Sequence, residues 1–193
     1  MKITKRSLPK LSREKWLEFS IQALEKDCKS KLSLDSLIQV MPVTKGSFYS
    51  HFKNRTDFLL ALVDYWDRND TQSIIDALAR LHEDLSPEDR LWELTQAIHD
   101  LELNRYELLI RTISFEYPET RDAIEKVDRR RIDTLRKLFA EIGFEGMECE
   151  MRARVYVTAI SQERSILNAL PEEDWMEFCR KRHLFFIQPK VLE

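Results

Sequence analysis

The chain has 193 residues, enough for one substantial domain or for a small domain fused to a larger one. Charged residues make up 34 % and hydrophobic ones 43 %, a balance that argues against disorder. Three glycines and six prolines are too few for an all-β protein with many tight turns, so an all-α fold is expected. The net charge of −3 is unevenly spread. Residues 1–56 hold 12 Lys and Arg against 5 Asp and Glu, and the remainder 19 against 29, so a segment of +7 precedes one of −10. A basic segment joined to an acidic body suggests that only the first part faces a polyanion.

The three cysteines, Cys28, Cys149 and Cys179, are few, odd in number and far apart. They fit a reducing cytoplasm and give neither a disulfide framework nor a zinc pattern. The longest apolar run, Phe58 to Val63, is too short to cross a bilayer, and M-K-I-T-K-R-S-L-P-K has no apolar stretch of signal-peptide length. A cytoplasmic protein without membrane contact is the expectation. Lys2, Lys5, Arg6 and Lys10 read either as a solubilising tail or as an arm touching phosphate or the minor groove.

A first helix is expected from Arg13 to Cys28, with Ser12 as cap and Trp16, Leu17, Ser20, Ile21 and Leu24 on its buried side. A second starts at Ser33 and carries Leu34, Leu37, Ile38 and Met41 until Pro42 ends it. A tight turn then leads into V-T-K-G-S-F-Y-S-H-F, residues 43–52. Thr44 is a helix cap whose hydroxyl can accept from the Ser47 N–H. Phe48 and Phe52 lie one turn apart and share a buried face, which leaves Lys45, Gly46, Ser47, Tyr49 and Ser50 on the other side of a two-turn helix. So short a helix is marginal in water; two phenylalanines dock it, and its polar face is free to meet phosphate. Two short helices joined this way make a helix-turn-helix.

Asn54, with Asp57 three residues on, caps a fourth helix running through Phe58, Leu62, Trp66 and Ile74 to about Leu81. Ser86-Pro87-Glu88-Asp89 starts the next, and another is expected over 103–115. Pro118 opens a long helix closed by Gly143. From Met147 to Ala169 both sides of a helix are apolar: Cys149, Ala153, Tyr156 and Ile160 on one, Met147, Met151, Val155 and Ile166 on the other. A last helix, with Trp175, Phe178, Cys179, Phe185 and Phe186, follows Pro171. These two helices read either as ordinary core or as half of a four-helix bundle completed by a second copy, and the homodimer is the expectation.

The decamer at 43–52 resembles the recognition-helix signature of the TetR family of transcriptional regulators, V-S-x-G-x-[LF]-Y-x-[HY]-F, and the resemblance extends from about Arg13 to Phe58. It implies a three-helix DNA-binding domain over 1–56 and a larger helical domain over 57–193 that binds a small-molecule effector and dimerises. It further implies release from a palindromic double-stranded operator, as a repressor. The chain departs from the pattern at Ile38, where Ala is usual, and at Met41-Pro42, where Ala-Gly is usual, so the turn geometry should differ.

On this reading Lys45 reaches a base edge or phosphate, Gly46 admits the DNA backbone, Ser47 and Ser50 meet bases, and Tyr49 donates to phosphate as the resemblance implies. Ser33, Thr44, Lys53 and Arg55 hold the register on the sugar-phosphate backbone, the alternative for Lys53 and Arg55 being a solvated turn. His51 reads as structural or phosphate-proximal. Trp66, Trp92, Tyr106, Phe115 and Tyr156 are candidate effector-pocket walls or plain core aromatics. No enzyme, metal or cofactor is expected. None of the four histidines follows a Glu by three residues, and no phosphate loop, G-x-S-x-G or paired-cysteine motif occurs. A helix-turn-helix architectural or division-linked DNA binder without an effector is the alternative.

Overall fold

A computed structural model describes residues 11–26, 34–40, 44–80, 85–166 and 170–188. All regular structure among them is helical. They group into two compact units, Met1–Tyr65 with Leu109–Ala123, and Trp66–Leu108 with Ile124–Glu193. The first unit is therefore larger than residues 1–56: it takes in most of the fourth helix and a later segment.

In the first unit, α1 is Arg13–Lys26, α2 Leu34–Val40, α3 Lys45–Tyr49 and α4 Arg55–Trp66. Ser12 caps α1 by accepting from the Lys15 N–H at 3.2 Å, and Trp16, Leu17, Ser20 and Ile21 are buried as the periodicity predicts. At the start of α4 the Asn54 side chain accepts from the Asp57 N–H, while the Asp57 carboxylate accepts from the Lys53 N–H, both at 2.8 Å. The expected box is thus present, its return bond shifted one residue outward. The later segment adds Ile110 and Ile113, buried on α7 (Glu107–Glu116), and the 3-10 turn Pro118–Thr120. Thr56 and Glu119 meet at 3.3 Å across it.

The second unit contains α5 (Ser73–Arg80), α6 (Pro87–Asp100), most of α8 (Arg121–Ile142), α9 (Gly146–Gln162) and α10 (Glu172–Ile187). Leu78, Leu91, Leu94, Leu135, Phe139, Phe144, Ala153, Tyr156 and Phe186 belong to its core. Ser86 caps α6 as expected, accepting from the Asp89 N–H at 3.1 Å with Pro87 in the first turn. Gly143 ends α8 at a φ of 111°, with Gly143 N–H bonded to Ala140 and Phe144 N–H to Phe139, the pattern that needs a left-handed residue. Arg152, buried in α9, bonds Glu148 at 2.8 Å and donates to the carbonyls of Phe186 and Gln188, closing the C-terminal end of α10. No helix among the described residues is long and apolar enough to cross a membrane.

Three expectations about helices need correction. The helix expected over Met147–Ala169 ends at Gln162 and gives way to a 3-10 turn over Glu163–Ser165, with Ile166 extended beyond it. The helix expected to run unbroken to Leu81 changes to π geometry over Asp67–Gln72. Arginines of α8 hold that segment: Arg130 bonds Asp67 and Gln72, and Arg131 bonds Thr71 at 2.8 Å. An extra residue in a turn is favoured when side chains on it have partners that a regular helix would turn away. The helix expected from Leu103 begins only at Glu107. Glu102, at a φ of 49°, closes α6 by donating to His99, and Leu103 donates to Ile98, so the intervening residues are spent on the turn.

Candidate nucleic-acid interface

The candidate surface is built on four rings. Phe48 lies 5.7 Å from Trp16, 5.2 Å from Phe52 and 5.4 Å from Phe58, and Phe52 lies 5.1 Å from Phe58. All four are buried, and their tilted and edge-on geometries are those aromatic quadrupoles prefer. The α-helix over Lys45–Tyr49 is a turn and a half, shorter than the two turns expected, and Phe52 packs from just beyond its end. Thr44 caps it as the sequence predicts, accepting from the Ser47 N–H at 3.1 Å.

The polar residues fall into an outward and an inward set. Thr44, Lys45, Gly46, Tyr49, Ser50, Lys53 and Arg55 are exposed, Tyr49 to 61 %. Tyr49 stands edge-on to Phe48 at 5.3 Å, so its ring is braced while its face and hydroxyl look outward. Lys45 pairs with Asp35 of α2 at 2.6 Å, and that carboxylate holds its ammonium above the usual lysine range. Both partners are open to water, so the pair is weak and exchangeable for an outside anion. Ser50 donates to the Ser47 carbonyl at 2.7 Å.

Ser47 and His51 are turned inward. The Ser47 hydroxyl accepts from the Trp16 indole N–H at 3.0 Å, which ties α3 to α1. His51 donates through Nε2 to the Leu11 carbonyl at 2.8 Å, a contact that suits the structural reading. Arg55, expected on phosphate, lies over the Tyr117 ring at 4.2 Å and donates to its hydroxyl. The chain order hides that contact, 62 residues long. Ser33, with Met41 and Pro42, lies outside the described residues.

Gly46 has a normal helical conformation, and a Cβ there would meet only Thr44 Oγ1, at an ordinary 3.8 Å. Nothing in the chain demands the missing side chain. Glycine costs a helix about 0.5–1 kcal/mol relative to alanine, so its presence suits a close approach from outside.

The backbone compares closely with solved structures of low sequence identity. A putative TetR-family transcriptional regulator from Syntrophomonas wolfei str. Goettingen superimposes with a TM-score of 0.66 at 14 % identity, covering 94 % of this chain and 97 % of that one. This chain has the TetR-family fold. The reduced form of NemR from E. coli also matches with a TM-score of 0.66, at 17 % identity over 91 % of this chain and 95 % of that one. No protein-family model and no curated protein matches the sequence.

In this TetR-family fold the second unit holds a partly open cavity of about 80 Å³ among α5, α6, α8 and α9. Of the five aromatics expected at an effector pocket, Tyr156 alone lines it. Its hydroxyl bonds Thr95 at 2.9 Å, and burial pushes its ionisation up to about 12. Trp66 is buried beneath the Arg131 guanidinium at 4.7 Å, and Trp92 packs on His183 at 5.5 Å. Tyr106 is half-buried in the turn before α7. Phe115 lies away from this cavity: it is 77 % exposed and belongs to the first unit. Aromatic bulk alone does not separate wall from core, and the cavity is instead mostly aliphatic, with Asp70, Asn104, Glu107 and Arg131 at its margin. The signal for it was three charged residues recurring at positions that a soluble helix should have filled with apolar ones.

Proposed function

We propose that this chain is a DNA-binding transcriptional regulator, a repressor that acts as a homodimer on a palindromic operator. Its two α3 helices enter successive major grooves ~34–36 Å apart. The observation that carries the reading is the outward face of α3: a cation, a braced phenol and a glycine the fold does not need, on a rigid aromatic base. Lys45 exchanges Asp35 for a base edge or phosphate, Tyr49 donates to phosphate, and Thr44, Ser50 and Lys53 lie where they can meet the duplex. Footprinting tests it: one or a few protected palindromes support a regulator, whereas protection at many unrelated sites supports the architectural alternative.

Two substitutions separate the roles. Tyr49→Phe should weaken specific and unrelated duplexes alike, by about 1 kcal/mol, because a phosphate contact carries no sequence information. A loss confined to one base position in competition binding contradicts that. Gly46→Ala should leave the fold as stable or up to about 1 kcal/mol more so, while operator affinity falls at least about tenfold. Melting curves and gel shifts on one preparation check both halves, and unchanged affinity would remove the reason given for the glycine.

The second unit is proposed to hold the effector and the dimer contact. Met147 is 78 % exposed, and Met151 and Val155 with Phe178 and Phe185 are also exposed on the last helices, as a bundle shared with a second copy requires. Light scattering that finds a monomer at micromolar concentration removes the dimer. Helices α7 and α8 each contribute residues to both units, which supports coupling of effector to operator binding by a typical ~1–3 kcal/mol.

A further inference from the structure

The cavity wall holds an acid with no cation of its own. Its polar groups are nearly all engaged within the chain. Glu107, 1 % exposed, bonds Arg131 at 2.9 Å, and Arg131 also bonds Thr71. Asn104 donates to the Ile160 carbonyl at 3.2 Å and accepts from Arg164 at 2.8 Å. Tyr156 and Thr95 satisfy one another, with Thr95 donating onward to the Leu91 carbonyl. Asp70 is different. Its buried Oδ2 has no partner at full hydrogen-bond geometry, and the group that faces it is the neutral Trp66 indole N–H rather than a cation. A carboxylate in such a place is costly unless a cation or a donor reaches it.

We propose that this cavity takes a small apolar molecule ending in a protonated amine, its hydrocarbon body among Ile74, Leu94, Leu135 and Val157 and its ammonium against Asp70. The inference rests on the reading of the second unit as effector-binding and adds the chemical class. The volume suits a compact ligand, since about 80 Å³ corresponds to roughly five to eight water-sized spheres of ~10–15 Å³. The charge balance selects the sign. Arg131 is already bonded to Glu107, so an anion would meet two acids and one committed cation. An ammonium fills the empty place and leaves two cations facing two carboxylates.

The titration of Asp70 gives the proposal a pH signature. Burial, reinforced by the Glu107 charge, pushes its carboxyl from 3.8 up to about 7, against the opposing pull of Arg131 and Trp66. Between those values the folded protein holds a proton that the unfolded chain releases, so stability falls as pH rises through the window. Asp70→Asn should abolish that fall and melt higher than the parent at pH 8. Amine binding requires the ionised acid, so affinity should rise about tenfold from pH 6 to pH 8 while the amine stays charged.

Calorimetric titration of the full chain, without DNA, with benzylamine, benzyl alcohol and benzoate tests this directly. The expected order is benzylamine far ahead of the other two, with a loss of at least about tenfold and of the pH dependence in Asp70→Asn. Ile74→Phe, which fills the cavity and keeps the acid, should abolish binding, and it decides the matter should Asp70→Asn not fold. Equal binding of benzoate or benzyl alcohol, no binding of any probe, or amine binding unaffected by either variant overturns the proposal. Gel shifts on the same protein keep the two readings apart: amine binding without DNA binding sinks the regulator, and DNA binding without amine binding sinks only the ligand class.

Discussion

Phe48→Ala should lower the stability of the first unit by about 3–5 kcal/mol and abolish duplex binding, although Phe48 is buried and cannot itself touch DNA. The cost comes from the ring's place at the centre of the cluster, within 6 Å of Trp16, Phe52 and Phe58 and of the outward Tyr49. A helix of a turn and a half has too few internal bonds to stand alone, so loss of its anchor frees the whole recognition surface. Phe48→Leu, which keeps most of the volume, should cost under about 1.5 kcal/mol and retain DNA binding. Chemical denaturation followed by amide hydrogen exchange in α1 and α4, beside gel shifts, reads both effects. Full-strength binding by Phe48→Ala would falsify the claim that burial of this ring presents α3.

Arg131→Met should be comparably severe in the second unit, costing about 3–5 kcal/mol at pH 8. The guanidinium bonds Glu107 and Thr71, lies on Trp66, and pulls against the raised ionisation of Asp70. Its removal leaves two carboxylates buried together with no cation between them. Without the opposing pull of Arg131 the Asp70 carboxyl, already raised by burial, resists ionisation more strongly, so the loss is greatest at high pH. Thermal melts at pH 5.5 and pH 8 should show the variant recovering much of its deficit at the lower value. A deficit independent of pH would mean that Arg131 acts through packing alone.

The cavity and the aromatic base also explain where the sequence could be read and where it could not. Thr44, Asn54, Ser86 and Gly143 cap or close helices as the residue types require, because a cap is settled by neighbours a few positions away. Buried stripes such as Trp16, Leu17 and Ile21 follow from helical spacing for the same reason. The outward placement of Lys45, Gly46 and Tyr49 was legible because Phe48 and Phe52 claim the other face. The Ser47 contact was not legible because its partner, Trp16, lies 31 residues away, nor the Arg55 contact because Tyr117 lies 62 away.

By itself, then, the amino-acid order determined an all-helical chain, its local starts and stops, and a short polar helix held by two phenylalanines, since each depends on side chains within a turn or two. Only the tertiary structure decided which polar groups turn inward, where α4 gives way to π geometry, and which residues line the cavity. Those outcomes depend on partners supplied by distant helices, above all the arginines of α8, and the strength of a buried charge depends on everything that surrounds it.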